Sequence, residues 1–249
     1  KKFFNKYKPT ILLENKYTKS YYDESPITQN ANNEVVHLAV RDSRKNVVKK
    51  NIARQLFEFD NNDKILLFGT YNLDAPHKGG RILGEILKLF ADFCNKVNKS
   101  YLKDNTIRLV TFGRKQSFNL KIENITWTHL KEITGDKKLN YLYRSADVFL
   151  SPSTGCNAPS TVRESVVNDL PVIAFDNGEA SETIIDNVNG FLIEKFDKQK
   201  FAEAIFKTLF EKKFEDRKNW NKFLQKRYSS ENEAEMVVKK ALKDFSKLG

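Results

Sequence analysis

Ser151-Pro-Ser-Thr-Gly-Cys-Asn-Ala-Pro-Ser-Thr-Val-Arg-Glu164-Ser165 lies between two apolar runs, 146–150 and 170–175. Two short hydrophobic runs joined by a polar, proline-containing loop and an amphipathic helix predict a parallel β-α-β crossover. Ligands of such sheets collect where the strands end. Pro159 suits the first helical turn, where its missing N–H would be unpaired anyway, and Asn157 or Ser160 can cap nearby. The free amides around Ser160, Thr161 and Val162 then face a phosphate at the positive end of the helix dipole. Glu164, one turn on, can reach past that phosphate to a sugar diol. Alone, this spacing also describes a surface helix with a solvated glutamate, so the rest of the chain has to decide.

Working outward, Lys64-Ile-Leu-Leu-Phe-Gly69 reads as a buried strand that stops at glycine. It opens a loop over 70–77 that ends in Lys78-Gly-Gly, and a long amphipathic helix follows to about Asn98. Strand, loop, Lys-Gly and helix again put a cation and free amides at the carboxyl end of a sheet. Seen by itself, Lys78 is equally an ordinary solvated lysine. Strands are predicted over 35–40, 107–112, 124–128, 171–175 and 189–193, and helices over 46–57, 136–144 and 179–186. Leu139, Leu142 and Tyr143 at helical spacing read as core rather than site. From Asp197 the pattern is helical, over 197–211, 214–227 and 230–248, with Ser230-Glu-Asn-Glu as a capping box. The pattern gives an α/β fold, a doubly wound parallel sheet of Rossmann type over 34–249 with a helical carboxyl-terminal tail. Residues 1–33 read as a linker or the remnant of a preceding domain.

A chain of 249 residues, 40% of them hydrophobic, can bury a sizeable core. No apolar run approaches the ~18–20 residues of a membrane span, and Lys1-Lys-Phe-Phe is no signal peptide. Cys94 and Cys156 lie far apart, and His37, His77 and His129 are scattered, so no structural metal site is expected and a reducing cytoplasm is. The net charge of +11 favours anionic partners, namely nucleotide phosphates, nucleic acid or acidic lipid headgroups. Lysines interleaved with glutamates, as in Glu211-Lys-Lys-Phe-Glu-Asp-Arg-Lys, equally describe a solvated surface. With no recognised motif and no aromatic–basic interleaving, nucleic acid is not an expected partner. Met236 is the only methionine, and a chain opening at Lys1 reads as a piece of a longer protein.

The order Phe68-Gly69, His77-Lys78-Gly79, Leu142-Tyr143-Arg-Ser-Ala-Asp147-Val-Phe-Leu-Ser-Pro152-Ser, Pro159-Ser-Thr-Val-Arg-Glu164-Ser, Leu170-Pro-Val-Ile-Ala174-Phe-Asp-Asn-Gly178 and Glu182 to Asn189-Gly190-Phe-Leu resembles the donor-binding, carboxyl-terminal domain of glycosyltransferase family 4. The resemblance runs from about Val35 to the end, with Asp42 and Arg54 also in place. It implies one half of a GT-B enzyme, a retaining hexosyltransferase that works without metal or cofactor. Such an enzyme moves sugar from a nucleotide-diphosphate-sugar donor to a glycan or lipid-linked acceptor. It further implies an amino-terminal domain of the same parent protein, cytoplasmic work, and peripheral attachment to the acidic inner face of a membrane.

Carried over by position, the resemblance makes Glu164 the carboxylate on the ribose hydroxyls and Lys78 the cation on the diphosphate, together the catalytic pair. Asn157, Ala158, Pro159, Ser160 and Thr161 become the loop and helix start around phosphate and sugar, and Lys131, Glu132 and Ile133 the backbone frame of the base. Thr70 and His77 join the donor site. Two positions depart from the family. Cys156 stands where a first glutamate is common, and Thr70 where many members have arginine. They read as donor variation, with Cys156 a packed or pocket-lining thiol. The competing expectation is a non-catalytic sugar-nucleotide-binding or scaffold module on the same fold.

Overall fold

The computed structural model describes residues 1–40, 48–114, 120–155, 160–211, 214 and 217–245. In chain order it contains α1 (Lys2–Tyr7), β1 (Thr10–Leu13), α2 (Lys16–Glu24), β2 (Asn32–Val35), α3 (Lys50–Gln55), β3 (Lys64–Gly69) and a 3-10 turn (Pro76–Lys78). Then come α4 (Gly80–Val97), α5 (Ser100–Asp104), β4 (Ile107–Phe112), β5 (Ile125–His129), α6 (Asp136–Ser145), β6 (Val148–Ser151) and α7 (Ser160–Val167). The chain finishes through β7 (Val172–Phe175), α8 (Ala180–Thr183), β8 (Gly190–Ile193), α9 (Lys198–Phe206), a π-helical turn (Lys207–Glu211), α10 (Arg217–Arg227) and α11 (Ser230–Phe245).

Six strands form one parallel sheet in the order β5-β4-β3-β6-β7-β8. Its apolar runs have no polar face because both faces are covered. Along β3, Leu66 and Phe68 join one core with Leu83, Ile86, Leu87 and Phe90 of α4 and Phe201 and Phe206 of α9. Ile65 and Leu67 point the other way, into Leu142 and Tyr143 of α6, Val162 and Val166 of α7, and Leu224 of α10. The same alternation splits Ile173 and Phe175 of β7 from Val172 and Ala174. The chain builds outward through β4 and β5 and then returns to the other side of β3, so the topological switch lies between β3 and β6. That is where doubly wound sheets open a crevice for ligands.

Residues 1–35 fold as a separate parallel β-α-β unit, β1 pairing with β2 from Thr10↔Asn32 to Leu13↔Val35. The second strand therefore ends where the sequence predicts one to begin. Residues 36–40 instead form a connector whose amides find single partners: Val36 N to Leu13 O at 2.8 Å, Ala39 N to Glu233 Oε2 at 2.9 Å and Val40 N to Tyr228 O at 2.9 Å. That use of Glu233 undoes the expected capping box. Ser229 caps α11 in its place, its Oγ accepting from the Asn232 amide at 3.1 Å. The helix expected over 179–186 shrinks to α8 because Asn189 turns the chain, accepting from the Ile185 amide at 2.8 Å and donating to the Thr183 carbonyl at 3.1 Å. Among the described residues, no helix is long and apolar enough to cross a membrane.

Candidate functional site

The loops that follow β3 and β6 are stitched together at one atom. The carbonyl oxygen of His77 accepts from Ser153 Oγ and Thr154 N at 2.9 Å each and from Gly155 N at 3.3 Å. Asn177 Nδ2 donates to the Ser153 carbonyl and brings in the loop after β7. The two loops also touch at Gly79, held at φ 81° where a Cβ would overlap the Pro152 carbonyl oxygen. Only glycine combines that left-handed backbone with so close an approach. Lys78, between His77 and Gly79, is half-buried, and desolvation pushes its ammonium below the ordinary lysine range against the opposing charge of Glu14.

The loops after β4 and β5 join from the other side. Gly113 N donates to the Lys131 carbonyl at 2.8 Å, and Lys131 sits at φ 54°. Arg114 ties three loops: its Nε meets Glu132 Oε2 at 2.6 Å, its amide donates to the Tyr71 carbonyl at 3.0 Å, and its Nη1 donates to the Tyr71 hydroxyl at 2.9 Å. Its guanidinium also lies 5.0 Å from the centre of the Tyr71 ring. Ile133 packs against the second core, as Val40, Leu130 and Leu139 do. Thr70 is buried, its amide bonded to the Phe112 carbonyl at 3.2 Å.

Glu164 takes its place on α7. Its Oε2 accepts from the hydroxyl of Tyr143 at 2.6 Å, and it lines a cleft of about 220 Å³ with Ala39, Val40, Asp136, Leu139 and Asn140. Lys78 is not part of that lining. Tyr143 is wholly buried, and burial, with the charge of Glu164, pushes its phenol well up, so it remains a donor. Ser160 is exposed in the first turn of α7. Thr161 is buried beside it, and its Oγ1 has no hydrogen-bond partner among the described residues. A buried hydroxyl left in that state calls for a partner. Cys156, Asn157, Ala158 and Pro159 lie outside the described residues.

The structure thus joins His77, the neighbour of Lys78, to the start of the β6 loop, and Lys131 and Glu132 to Gly113 and Arg114. Sequence reasoning passed over Arg114, Tyr71, Asn177 and the hydroxyl of Tyr143. Arg114 carried a usable signal, since Gly113-Arg repeats the glycine stop of Phe68-Gly69 one strand later. Tyr143 carried none, because its ring fits the apolar pattern and only its hydroxyl belongs to the site.

Sheet order, switch point and gathered loops define the class: a doubly wound, Rossmann-like domain with its candidate site at the switch point. Residues 50–227 match the sequence model described as glycosyl transferases group 1, and the chain belongs to that family. Over 84 residues it is 30% identical to the UDP-N-acetylglucosamine–peptide N-acetylglucosaminyltransferase GtfA subunit of Streptococcus parasanguinis, covering 32% of this chain and 17% of that protein. Sucrose-phosphate synthase of Thermosynechococcus elongatus superposes with a TM-score of 0.73 at 16% identity, over 95% of this chain and 58% of that one. HepE of Anabaena, solved with UDP and glucose, gives 0.72 at 15% identity, over 96% of this chain and 64% of that one. The chain therefore spans less than two thirds of the length of these relatives.

Proposed function

We propose that this chain is the donor-binding half of a retaining, metal-independent hexosyltransferase of family 4 that takes sugar from a UDP-sugar and delivers it to a glycan or lipid-linked acceptor. The acceptor side comes from an amino-terminal domain of the parent protein, which attaches peripherally to an acidic membrane surface. The nucleotide-sugar is substrate, and no cofactor is required. The observation that supports this reading is the His77 carbonyl, next to Lys78, which accepts from three donors of the β6 loop. There the Lys78 ammonium and the first amides of α7 stabilise the negative charge that builds on the departing diphosphate, and Glu164, steadied by Tyr143, accepts from the ribose hydroxyls. Uridine as the base is suggested by the UDP bound to HepE and named in the donor of the GtfA enzyme.

Calorimetric titration of the chain with UDP, GDP and ADP tests the reading. UDP is expected to bind best, and Lys78→Ala and Glu164→Ala are each expected to weaken it at least tenfold, on the order of 1.4 kcal/mol or more. Absence of binding by all three nucleotides at millimolar concentration would overturn it. Sugar transfer by the full-length parent distinguishes an enzyme from a scaffold module.

A further inference from the structure

The eleven residues of α10, Arg217-Lys-Asn-Trp-Asn-Lys-Phe-Leu-Gln-Lys-Arg227, hold five basic side chains and no carboxylate. Every other described helix of eight or more residues carries at least one Asp or Glu. One side of α10 is fixed to the domain. Leu224 and the following Tyr228 are buried in the core with Val162 and Val166 of α7, and Gln225 Nε2 donates to the Val167 carbonyl at 2.9 Å. Side chains advance by about 100° per residue along a helix, so Lys222, Lys226, Phe223, Arg227 and Trp220 follow one another around the side turned away from α7. Lys222 and Lys226 are exposed, and Phe223 and Trp220 are 53% and 37% exposed. Their two rings stand edge to face with centres 5.9 Å apart. Arg227 steadies the pair: its guanidinium lies 5.8 Å from the centre of the Phe223 ring while its Nη1 donates to the Glu182 carbonyl at 3.0 Å.

We propose that this face of α10 docks on an anionic lipid surface, with Trp220 and Phe223 entering the boundary between headgroups and acyl chains and Lys222 and Lys226 meeting lipid phosphates. This rests on the acidic membrane surface of the reading above and gives it a contact in this chain, one that uses neither Lys78 nor Glu164. A solvated run of charge accounts for the lysines but not for two neighbouring aromatic rings left in water. Single-stranded nucleic acid would take rings free to stack on bases, whereas these two pack against each other. Aromatic side chains flanked by lysines, on a helix anchored by its other side, are the pattern of an element lying in the headgroup layer. Each basic group near such a surface strengthens binding by roughly fivefold. The rings add an apolar part that salt does not screen. Indole suits that layer because its body is apolar while its N–H still finds water or a phosphate oxygen.

The test is sedimentation of the full chain with vesicles of phosphatidylglycerol and phosphatidylcholine in equal parts, and of phosphatidylcholine alone, at neutral pH and about 0.1 M salt. Affinity for the mixed vesicles is expected to exceed that for phosphatidylcholine by roughly tenfold or more, and to fall by a similar factor in Lys222→Gln with Lys226→Gln and in Trp220→Ser with Phe223→Ser. Tryptophan emission is expected to shift to the blue when the wild type binds, because Trp127, the other tryptophan, is held at Nε1 by Thr111 within the sheet. Trp220→Phe is expected to keep most of the binding and to lose that shift. Equal binding to both kinds of vesicle, binding without a blue shift, or unaltered binding in both double variants overturns the proposal. Displacement by millimolar glycerol phosphate also overturns it, since the ligand is then a free phosphate and not a membrane. Tighter binding of a single-stranded oligonucleotide, lost in the same variants, replaces the lipid with nucleic acid, and a dimer that Trp220→Ser with Phe223→Ser dissociates replaces it with a second copy. A chain that binds UDP but no vesicles overturns this face and leaves the donor site, and one that binds vesicles but no UDP does the reverse.

Discussion

Arg163 Nη1 donates to both carboxylate oxygens of Glu179, at 2.7 and 2.6 Å, and the two side chains are 5% and 1% exposed. The pair ties α7, which carries Glu164, to the loop before α8. Arg163 also lies 5.8 Å from the centre of the Tyr228 ring, whose hydroxyl is 2.7 Å from Thr183 Oγ1. Removing one partner of such a pair strands a buried charge. Arg163→Met is therefore expected to destabilise the fold by about 3–5 kcal/mol in urea unfolding, and Arg163→Met with Glu179→Leu to recover most of that loss. If the double variant is no more stable than the single one, the pair is not the source of the cost.

Glu179 of this pair and the buried His37 give the protein opposing pH dependences. Burial pushes the Glu179 carboxyl up to about 7, with Arg163 acting against it. Its contribution to stability is therefore complete below about 4.5 and is lost as pH rises to about 7. Burial pushes the His37 imidazole down to about 4, helped by Arg227. Its contribution is present above about 6.5 and is lost as pH falls to about 4. Each slope approaches about 1.4 kcal/mol per pH unit at most, and the two partly cancel in the wild type. Unfolding free energies from pH 4.5 to 6.5 are expected to rise more steeply with pH in Glu179→Gln than in the wild type, and to fall more steeply in His37→Gln. Parallel curves for all three proteins would remove both groups from the linkage.

The contact of Gly79 with Pro152 sets a stringent limit on substitution. Alanine there must adopt φ 81° and meet the Pro152 carbonyl oxygen. Relief requires the β3 and β6 loops to part, which breaks the bonds at the His77 carbonyl. Gly79→Ala is expected to cost about 1–3 kcal/mol of stability and to weaken UDP binding by at least tenfold. Retention of wild-type UDP affinity would mean that the loop junction does not hold the binding groups in place.

The sheet was legible because its strands are buried on both faces. Lys64-Ile-Leu-Leu-Phe-Gly69 and Ile107–Phe112 coincide with β3 and β4 to the residue. Where pairing depends on distant residues the reading slipped: Val35 to Val40 is as apolar as a strand, but the amides of Ala39 and Val40 are taken by Glu233 and Tyr228 from the far end of the chain. The β-α-β unit over residues 1–35 gave little signal because β1 has only Leu13 fully buried and β2 is mostly polar. Among the candidate site residues, Lys78 and Glu164 stand out by strand, loop and helix spacing. Arg114 and Tyr71, which bind the loops to one another, meet only through tertiary contacts across 43 positions of sequence.

Tyr143 offers the sharpest separation of a binding effect from a packing one. Its ring is enclosed by Phe112 and Phe149, with centres 6.0 and 5.9 Å away, so phenylalanine fills the same space and leaves no cavity. What Tyr143→Phe removes is the 2.6 Å hydrogen bond that fixes Oε2 of Glu164. Glu164 is partly exposed and water can replace that donor, so stability is expected to change by no more than about 1 kcal/mol. If Glu164 accepts from a ribose diol as proposed, the freed carboxylate must then be ordered again on binding. UDP affinity is therefore expected to fall roughly three- to tenfold in Tyr143→Phe, and a nucleotide lacking the ribose hydroxyls, 2′,3′-dideoxy-UDP, to bind wild type and variant alike. Equal losses for both ligands would place the effect in the loops and detach Glu164 from the ribose.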